Sequence, residues 1–437
     1  MFARRIAVIG TGYVGLTTGA CLASLGHRVV CADVDEAKVA RLRRGEVDIL
    51  EPGLPELVGA GLAAGRLSFA LGARTAINEL DGGAEVVFLC VPTPMGVGGM
   101  ADLGAVESVV DEVRDLLRPN SVVVNKSTVP VGTAERTAEL IDRSDVAVVS
   151  NPEFLREGHA VHDFLHPDRI LIGADDRVAG AAVARLYAKL TAPVVHSDPA
   201  SAELAKYASN AFLAVKLSYI NLLAQLCEQK GADIGEVTKT MGLDPRIGPA
   251  FLAPGPGWGG SCLPKDTRAL LRSARDVQVD FAVLRAAIDA NTRQHELVVG
   301  KIRSAVDGPL RGVRIGLFGL TFKAGTDDLR DSPALAIARL LAADGALLTG
   351  YDPEVPASAR VDAGPVHVVD DPQLVAKDAR AIVVLTEWPE FRKLDWAELA
   401  EVADRAAVVD TRNLLDPQTL RARGFSYYGM GRLVVSG

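Results

Sequence analysis

The fold is decided by Ile6-Ala-Val-Ile9-Gly10-Thr11-Gly12-Tyr13-Val14-Gly15 and by the segment that follows it, His27-Arg28-Val-Val-Cys-Ala-Asp33. A short apolar run, a Gly-x-Gly-x-x-Gly turn and a helical stretch lead to a second apolar run that ends in an acid. Gly15 and Asp33 are 33 − 15 = 18 residues apart, the spacing of a dinucleotide-binding βαβ unit. The glycines let the backbone approach a pyrophosphate that rests on the helix N-terminus. Asp33 is positioned to accept hydrogen bonds from the adenosine ribose, and its charge repels a 2′-phosphate, which favours NAD over NADP.

Working outward, Glu85-Val-Val-Phe-Leu-Cys90, Ser121-Val-Val-Val124, Val146-Ala-Val-Val149, Arg169-Ile-Leu-Ile172 and Pro193-Val-Val-His196 read as further strands. Continuous apolar runs separated by helices predict a parallel sheet covered on both faces. From Ser201, a fair N-cap, to about Lys230, apolar residues recur at 204, 208, 211, 215, 219, 222 and 226. Those steps of three and four predict one face of a long helix. Helical patterns run on to about Ala305, and strand–helix alternation resumes after Gly308-Pro309. There Val313–Phe318, Ala346–Thr349, Val366–Val369, Ala381–Leu385 and Ala406–Val409 read as strands, and Ser332-Pro333 as a helix start. The expected fold class is α/β: two Rossmann-like domains, 1–200 and 310–437, joined by a central helical domain, 201–305, with a long spine helix.

Composition narrows the function. The chain has 437 residues, with 47 Lys+Arg against 55 Asp+Glu and a net charge of −8, which argues against nucleic-acid binding through a basic footprint. Five cysteines without a C-x-x-C pair fit neither a disulfide scaffold nor a zinc ribbon and suit a reducing cytoplasm. The charge-free run from Ile6 to Gly26 holds five glycines, a poor composition for a membrane span, and no membrane association is expected. His159, His162 and His166 lack partners spaced to complete a metal site, so no metal is expected.

Three further passages carry chemistry. Asn151-Pro-Glu153-Phe154-Leu155-Arg156-Glu157-Gly158 follows a strand, and its two carboxylates share a face if the segment is helical. Lys206 and Asn210 share a face of the long helix and suggest a polar pocket. Phe251-Leu252-Ala-Pro-Gly255-Pro-Gly257-Trp-Gly259-Gly260-Ser261-Cys262-Leu-Pro-Lys265-Asp266 concentrates glycine and proline ahead of Cys262. A thiol at that helix start, beside Lys265, is expected to have a pKa below the usual ~8.5. The other four cysteines, in apolar runs, read as small core residues. Lys323 and Arg330 lie in a loop after the first strand of the last domain, where either can bind phosphate oxygens.

Taken together, Asn151–Gly158, Gly257–Asp266 and Gly319-Leu-Thr-Phe-Lys323 resemble the nucleotide-sugar 6-dehydrogenases, and the resemblance extends to Tyr428-Gly-Met-Gly-Arg432. It implies oxidation of UDP-glucose to UDP-glucuronate with two NAD+ and one water, through a thiohemiacetal and a thioester on Cys262. Lys206 would stabilise charge on the C6 oxygen, assisted by Asn210, while Asp266, Glu153 and Thr128 manage protons through water. The cofactor is NAD, expected at Gly10, Gly12, Tyr13, Val14, Gly15, Asp33, Lys38, Thr93, Thr128, Glu157, Lys265 and Arg330. The UDP-sugar is expected at Glu153, Phe154, Leu155, Arg156, Glu157, Lys206, Asn210, Phe251, Leu252, Gly255, Gly259, Lys323 and Arg412. Arg246 would come from the second subunit of a homodimer built on the central helices. Alternatives within the class act on GDP-mannose or UDP-N-acetylmannosamine; outside it stands a non-catalytic NAD- or nucleotide-sugar-responsive binding protein.

Overall fold

A computed structural model describes residues 3–359, 362–405 and 407–434. The chain divides into two compact units: residues 1–209 with 268–277, and residues 210–267 with 278–437. Ala406, expected to open a strand, lies outside the described residues.

The first unit is built on eight strands: β1 (Arg5–Ile9), β2 (Arg28–Asp33), β3 (Leu67–Leu71), β4 (Val86–Leu89), β5 (Val122–Asn125), β6 (Ala147–Ser150), β7 (Ile170–Gly173) and β8 (Val194–Ser197). Their order is β3-β2-β1-β4-β5-β6-β7-β8. Sequence reading misses β3, whose Leu-Ser-Phe-Ala-Leu lacks the run of β-branched residues that marks its neighbours. The sheet is not wholly parallel as expected: β6 and β7 meet antiparallel through one pair, Ser150 and Gly173. β7 thus runs opposite to β6, whereas a parallel neighbour requires a crossover connection that returns to the starting end of the strands. Helix α1 (Tyr13–Ser24) packs on this sheet through Leu16, Ala20 and Leu22. Each large apolar side chain so buried contributes about 1.5–3 kcal/mol.

Helix α2 (Pro199–Lys230) runs for 32 residues. Ser201 is not its N-cap. Asp198 accepts from Ser201 N at 2.7 Å, and Pro199 takes the first helical position. Of the apolar stripe, Leu204, Tyr219, Leu222 and Leu226, with Phe212, are exposed and Ala211 is buried; the buried side carries Glu203, Lys206, Asn210, Ser218 and Asn221 among Ala202, Tyr207, Ala214 and Ile220. Periodicity locates a stripe but cannot tell which side has buried polar partners. Among the described residues α2 is the one helix long and apolar enough to span a bilayer, and 44 % of its apolar window is buried.

The second unit contains helix α3's first turn (α3, Leu263–Asp276), helix α4 (Ala282–Val306) and a six-stranded, wholly parallel sheet. Its strands are β9 (Arg314–Phe318), β10 (Leu347–Tyr351), β11 (His367–Val368), β12 (Ala381–Val384), β13 (Ala407–Asp410) and β14 (Ser426–Gly429), in the order β11-β10-β9-β12-β13-β14. Strand β14 is absent from the sequence reading because its polar Ser-Tyr-Tyr-Gly lacks an apolar run. Helix α5 (Pro333–Ala343) starts where expected, with Ser332 accepting from Ala334 N.

Candidate active site

The first unit carries the glycine turn. Gly10 has φ +97°, and a Cβ there would lie 2.6 Å from the Cys90 carbonyl oxygen. A Cβ on Gly15 would lie 1.9 Å from the Gly10 carbonyl oxygen, so the strand–turn–helix closes only with glycine at both positions. A Cβ on Gly12, by contrast, would meet nothing within 4 Å. Gly12 is also the N-cap of α1, without a side-chain cap or an acidic residue in the first turn. Uncapped N–H groups facing open space over glycine fit a pyrophosphate. Burial pushes the Asp33 carboxyl up, but hydrogen bonds from Thr11 and from the Asp35 and Thr11 N–H groups outweigh it and hold Asp33 below the usual range. Lys38 Nζ lies 4.0 Å from the same carboxylate. Thr93 and Thr128 are joined by a 2.9 Å hydrogen bond from Thr93 Oγ1 to the Thr128 carbonyl.

The Asn151–Gly158 segment is not helical, being irregular over 151–156 with a turn at 157–158, so its carboxylates do not share a helical face. Proline at 152 disfavours helix for Asn151, and buried partners hold the chain out. Asn151 Nδ2 donates to the Leu171 carbonyl at 2.8 Å, and its Oδ1 accepts from Tyr187 Oη at 2.6 Å and from Lys126 Nζ at 3.2 Å. Burial pushes Lys126 down to about 8. Glu153 Oε1 pairs with Lys206 Nζ at 3.2 Å, both groups almost wholly buried. The Lys206 ammonium also lies 5.1 Å from the Phe154 ring centroid. Arg156 forms a fork on Asp163 at 2.8 and 2.6 Å. Its carbonyl accepts from Tyr13 Oη at 3.1 Å. Leu155 N donates to Glu153, and Glu157 is half-buried.

The second unit carries Cys262. Of the five cysteines, Cys21, Cys31, Cys90 and Cys227 are buried and Cys262 alone is exposed. Burial pushes the thiols of Cys21 and Cys90 up to about 12, which makes them inert. Cys262 immediately precedes α3, its carbonyl accepting from Asp266 N at 2.9 Å and its Sγ lying 3.6 Å from Ser261 Oγ. Asp266 is 0 % exposed. Its two oxygens accept from Asn210 Nδ2 and from Lys265 Nζ, both at 2.6 Å.

The glycine-rich turn before Cys262 is held by residues the sequence reading misses. Asn221 Oδ1 accepts from Gly255 N at 2.8 Å, and Gln294 Nε2 donates to the Gly255 carbonyl at 2.8 Å. Asn291 bonds both N and O of Trp258, at 2.8 and 2.9 Å, and Ser218 Oγ accepts from the indole Nε1 at 2.9 Å. The available signal was the one that marks Lys206 and Asn210: polar pairs one turn apart, 218 with 221 and 291 with 294. Below Gly257 lies His295, whose imidazole burial drives down to about 4, leaving it neutral. Leu252 is buried, and Phe251 adopts φ +61° at the mouth of the turn. Arg412 Nε bonds the Leu385 carbonyl at 2.9 Å, and its NH1 abuts Gly255. Lys323 lies 5.7 Å from the Phe322 ring centroid, Arg330 forms a fork on Asp328, and Arg246 pairs with Asp244. A Cβ on Gly259 would lie 2.0 Å from the Asp331 carbonyl oxygen.

Comparison with known proteins gives the family. The chain matches the UDP-glucose/GDP-mannose dehydrogenase family in its NAD binding domain over 4–191, its central domain over 200–293 and its UDP binding domain over 316–417. It is 44 % identical to a UDP-glucose 6-dehydrogenase of Rhizobium meliloti, covering 98 % of this chain and 99 % of that protein. A UDP-glucose 6-dehydrogenase of Pseudomonas aeruginosa is 43 % identical over 98 % and 97 % of the two chains. The solved UDP-glucose dehydrogenase of the hyperthermophilic archaeon Pyrobaculum islandicum superposes with a TM-score of 0.90 at 38 % identity, covering 99 % and 98 %. With an open glycine cradle in one unit and an exposed thiol at a helix start in the other, this chain belongs to the UDP-glucose/GDP-mannose dehydrogenase family, an NAD-dependent family of oxidoreductases.

Proposed function

We propose that the protein oxidises UDP-glucose to UDP-glucuronate, consuming two NAD+ and one water. The observation that carries this reading is Cys262: the one exposed cysteine of the chain, at a helix start, in a turn held by buried amides. The names of the relatives at 44 % and 43 % identity favour UDP-glucose over GDP-mannose or UDP-N-acetylmannosamine.

Bound NAD+ supplies the hydride acceptor for each oxidation. Removal of a hydride and a proton from the C6 alcohol gives an aldehyde. Cys262 Sγ then attacks the aldehyde carbon, a C–S bond forms, and the oxygen takes a proton to give a thiohemiacetal. Loss of a second hydride and proton leaves a thioester, which water cleaves to the carboxylate and the free thiol. Lys206, already charge-paired with Glu153 in a dry setting, stabilises negative charge on the C6 oxygen as it develops. Asn210 and Lys265 hold the Asp266 carboxylate, which with Glu153 and Thr128 handles protons through water. Gly10, Gly12, Tyr13, Val14 and Gly15 hold the pyrophosphate and Asp33 with Lys38 the ribose. Thr93, Glu157, Lys265 and Arg330 complete the cofactor set. For the sugar nucleotide the assignments are Glu153 to Glu157, Phe251, Leu252, Gly255, Gly259, Lys323 and Arg412.

The working segments are 1–200 for the cofactor, 201–305 for dimerisation and 310–437 for the nucleotide. The exposed stripe of Leu204, Phe212, Tyr219, Leu222 and Leu226 on α2 supports a homodimer, with Arg246 serving the neighbouring subunit. A cytoplasmic location suits the free thiols. The test is stoichiometry: purified protein is expected to form two NADH per UDP-glucuronate, and Cys262→Ala to form no acid while still binding NAD+. Acid formed at the normal rate by Cys262→Ala would remove the covalent mechanism.

A further inference from the structure

We propose that Asn291 is a positioning residue for this oxidation: by gripping one peptide of the glycine-rich turn it sets where the Cys262 thiol points. The proposal rests on the reading of Cys262 as the nucleophile.

Asn291 lies on α4 and is buried. Its Oδ1 accepts from Trp258 N at 2.8 Å and its Nδ2 donates to the Trp258 carbonyl at 2.9 Å. A primary amide is the side chain that satisfies both groups of one residue at once, as a paired strand would. The Trp258 side chain is fixed separately, its indole Nε1 donating to Ser218 Oγ at 2.9 Å while Ser218 donates to the Ala287 carbonyl at 2.7 Å. Before Trp258, a Cβ on Gly257 (φ +127°) would lie 2.9 Å from Asn291 Oδ1 and 2.8 Å from His295 Nε2. After it, Gly259 lies against the Asp331 carbonyl, and Gly260, at φ +85°, has room for a Cβ only 2.7 Å from the Phe322 ring. The path from Trp258 to Cys262 is therefore pinned at its start by an amide, along its middle by two glycines without room for a side chain, and at its end by the first turn of α3. Asn291 acts on the thiol through Trp258, not on the substrate.

A misaimed thiol has a specific chemical consequence. The first oxidation needs no sulfur, but capture of the aldehyde carbon does. Aldehyde that escapes capture leaves with one NADH formed and no acid, so NADH per acid rises above two.

The experiment compares wild type with Asn291→Asp, which keeps the acceptor and loses the donor, and with Asn291→Leu, which loses both. Each variant is checked for folding by thermal melting. Expected are a kcat at least tenfold lower, a KM for NAD+ within twofold of wild type, and an NADH-to-acid ratio above two. Alkylation of Cys262 by iodoacetamide, followed by mass spectrometry, is expected to slow at least fivefold. A ratio held at two in folded variants, with or without a lower kcat, marks a merely structural residue and overturns the proposal, as does alkylation at the wild-type rate. If Asn291→Leu does not fold, Asn291→Asp and Ser218→Ala carry the same readouts. Absence of UDP-glucose turnover by the wild type would sink the functional reading instead, and the alkylation arm, which needs no substrate, would still decide the role of Asn291.

Discussion

The two sheets of this protein each begin with the same corner, finished differently. In the first unit β1 ends at Gly10 (φ +97°), whose N–H donates to the Ala32 carbonyl, and Asp33 at the end of β2 accepts from Thr11. In the second, β9 ends at Gly319 (φ +89°), whose N–H donates to the Tyr351 carbonyl, and Asp352 after β10 accepts from Leu320 N, Thr321 N and Thr321 Oγ1. In the first corner α1 begins three residues after Gly10 with its N-terminus uncapped. In the second, α5 begins 333 − 319 = 14 residues after the glycine and is capped by Ser332. Asp352 is closed off by Trp388 Nε1 at 3.1 Å, whereas Asp33 keeps 16 % of its side chain exposed. A dinucleotide site thus needs more than a strand, a glycine and an acid. It needs donors the chain leaves unsatisfied and a carboxylate it leaves within reach.

That contrast can be broken experimentally. The largest effect is expected from Gly15→Val, since even a Cβ collides with the Gly10 carbonyl. NADH binding, followed by fluorescence titration, should weaken more than about 100-fold, a loss of about 2.7 kcal/mol or more. Next, the two acids should separate cleanly. Asp352→Asn should lower unfolding stability in urea by about 2–4 kcal/mol, because a buried acceptor of several N–H groups is replaced. Its NADH affinity should stay within twofold of wild type. Asp33→Asn should weigh the other way, weakening NADH binding by about tenfold with a loss of unfolding stability well below that of Asp352→Asn. Matching outcomes for the two variants would dissolve the distinction.

A pH titration sharpens it further. Asp33 is held below the usual carboxylate range, so its contribution to stability is present above the unfolded value near ~4 and lost as pH falls through the depressed folded value. Acid unfolding curves of wild type and Asp33→Asn should converge below that value and diverge above it. The smallest effect is expected from Trp388→Phe, which removes one hydrogen bond to Asp352 and should cost about 1 kcal/mol of stability without altering NADH affinity.

Much of this was legible in the chain. The glycine turn and Asp33 declare a dinucleotide corner because each position is dictated by its immediate neighbours. The Gly/Pro-rich run before Cys262 likewise declares a constrained turn. The pair Lys206 and Asn210 stood out as polar residues on an apolar helix, and both are buried. Other residues sent no such signal. Asn291 and Gln294 read as ordinary polar helix positions until Trp258 and Gly255, more than 30 residues away, are seen to be their partners.

The sequence by itself determined the α/β plan, most of the strands and long helices, the glycine turn after β1 and the constrained turn before Cys262, because these follow from local propensity, glycine geometry and spacing. Only the tertiary structure decided that α2 buries Glu203, Lys206, Asn210, Ser218 and Asn221 while Leu204, Leu222 and Leu226 stay exposed, that Glu153 sits on a non-helical segment against Lys206, and that one acidic corner is open while its counterpart is shut. Those outcomes depend on which buried donors and acceptors meet across long stretches of chain. A polar group is driven to solvent or drawn into the core according to partners that its own neighbourhood does not encode.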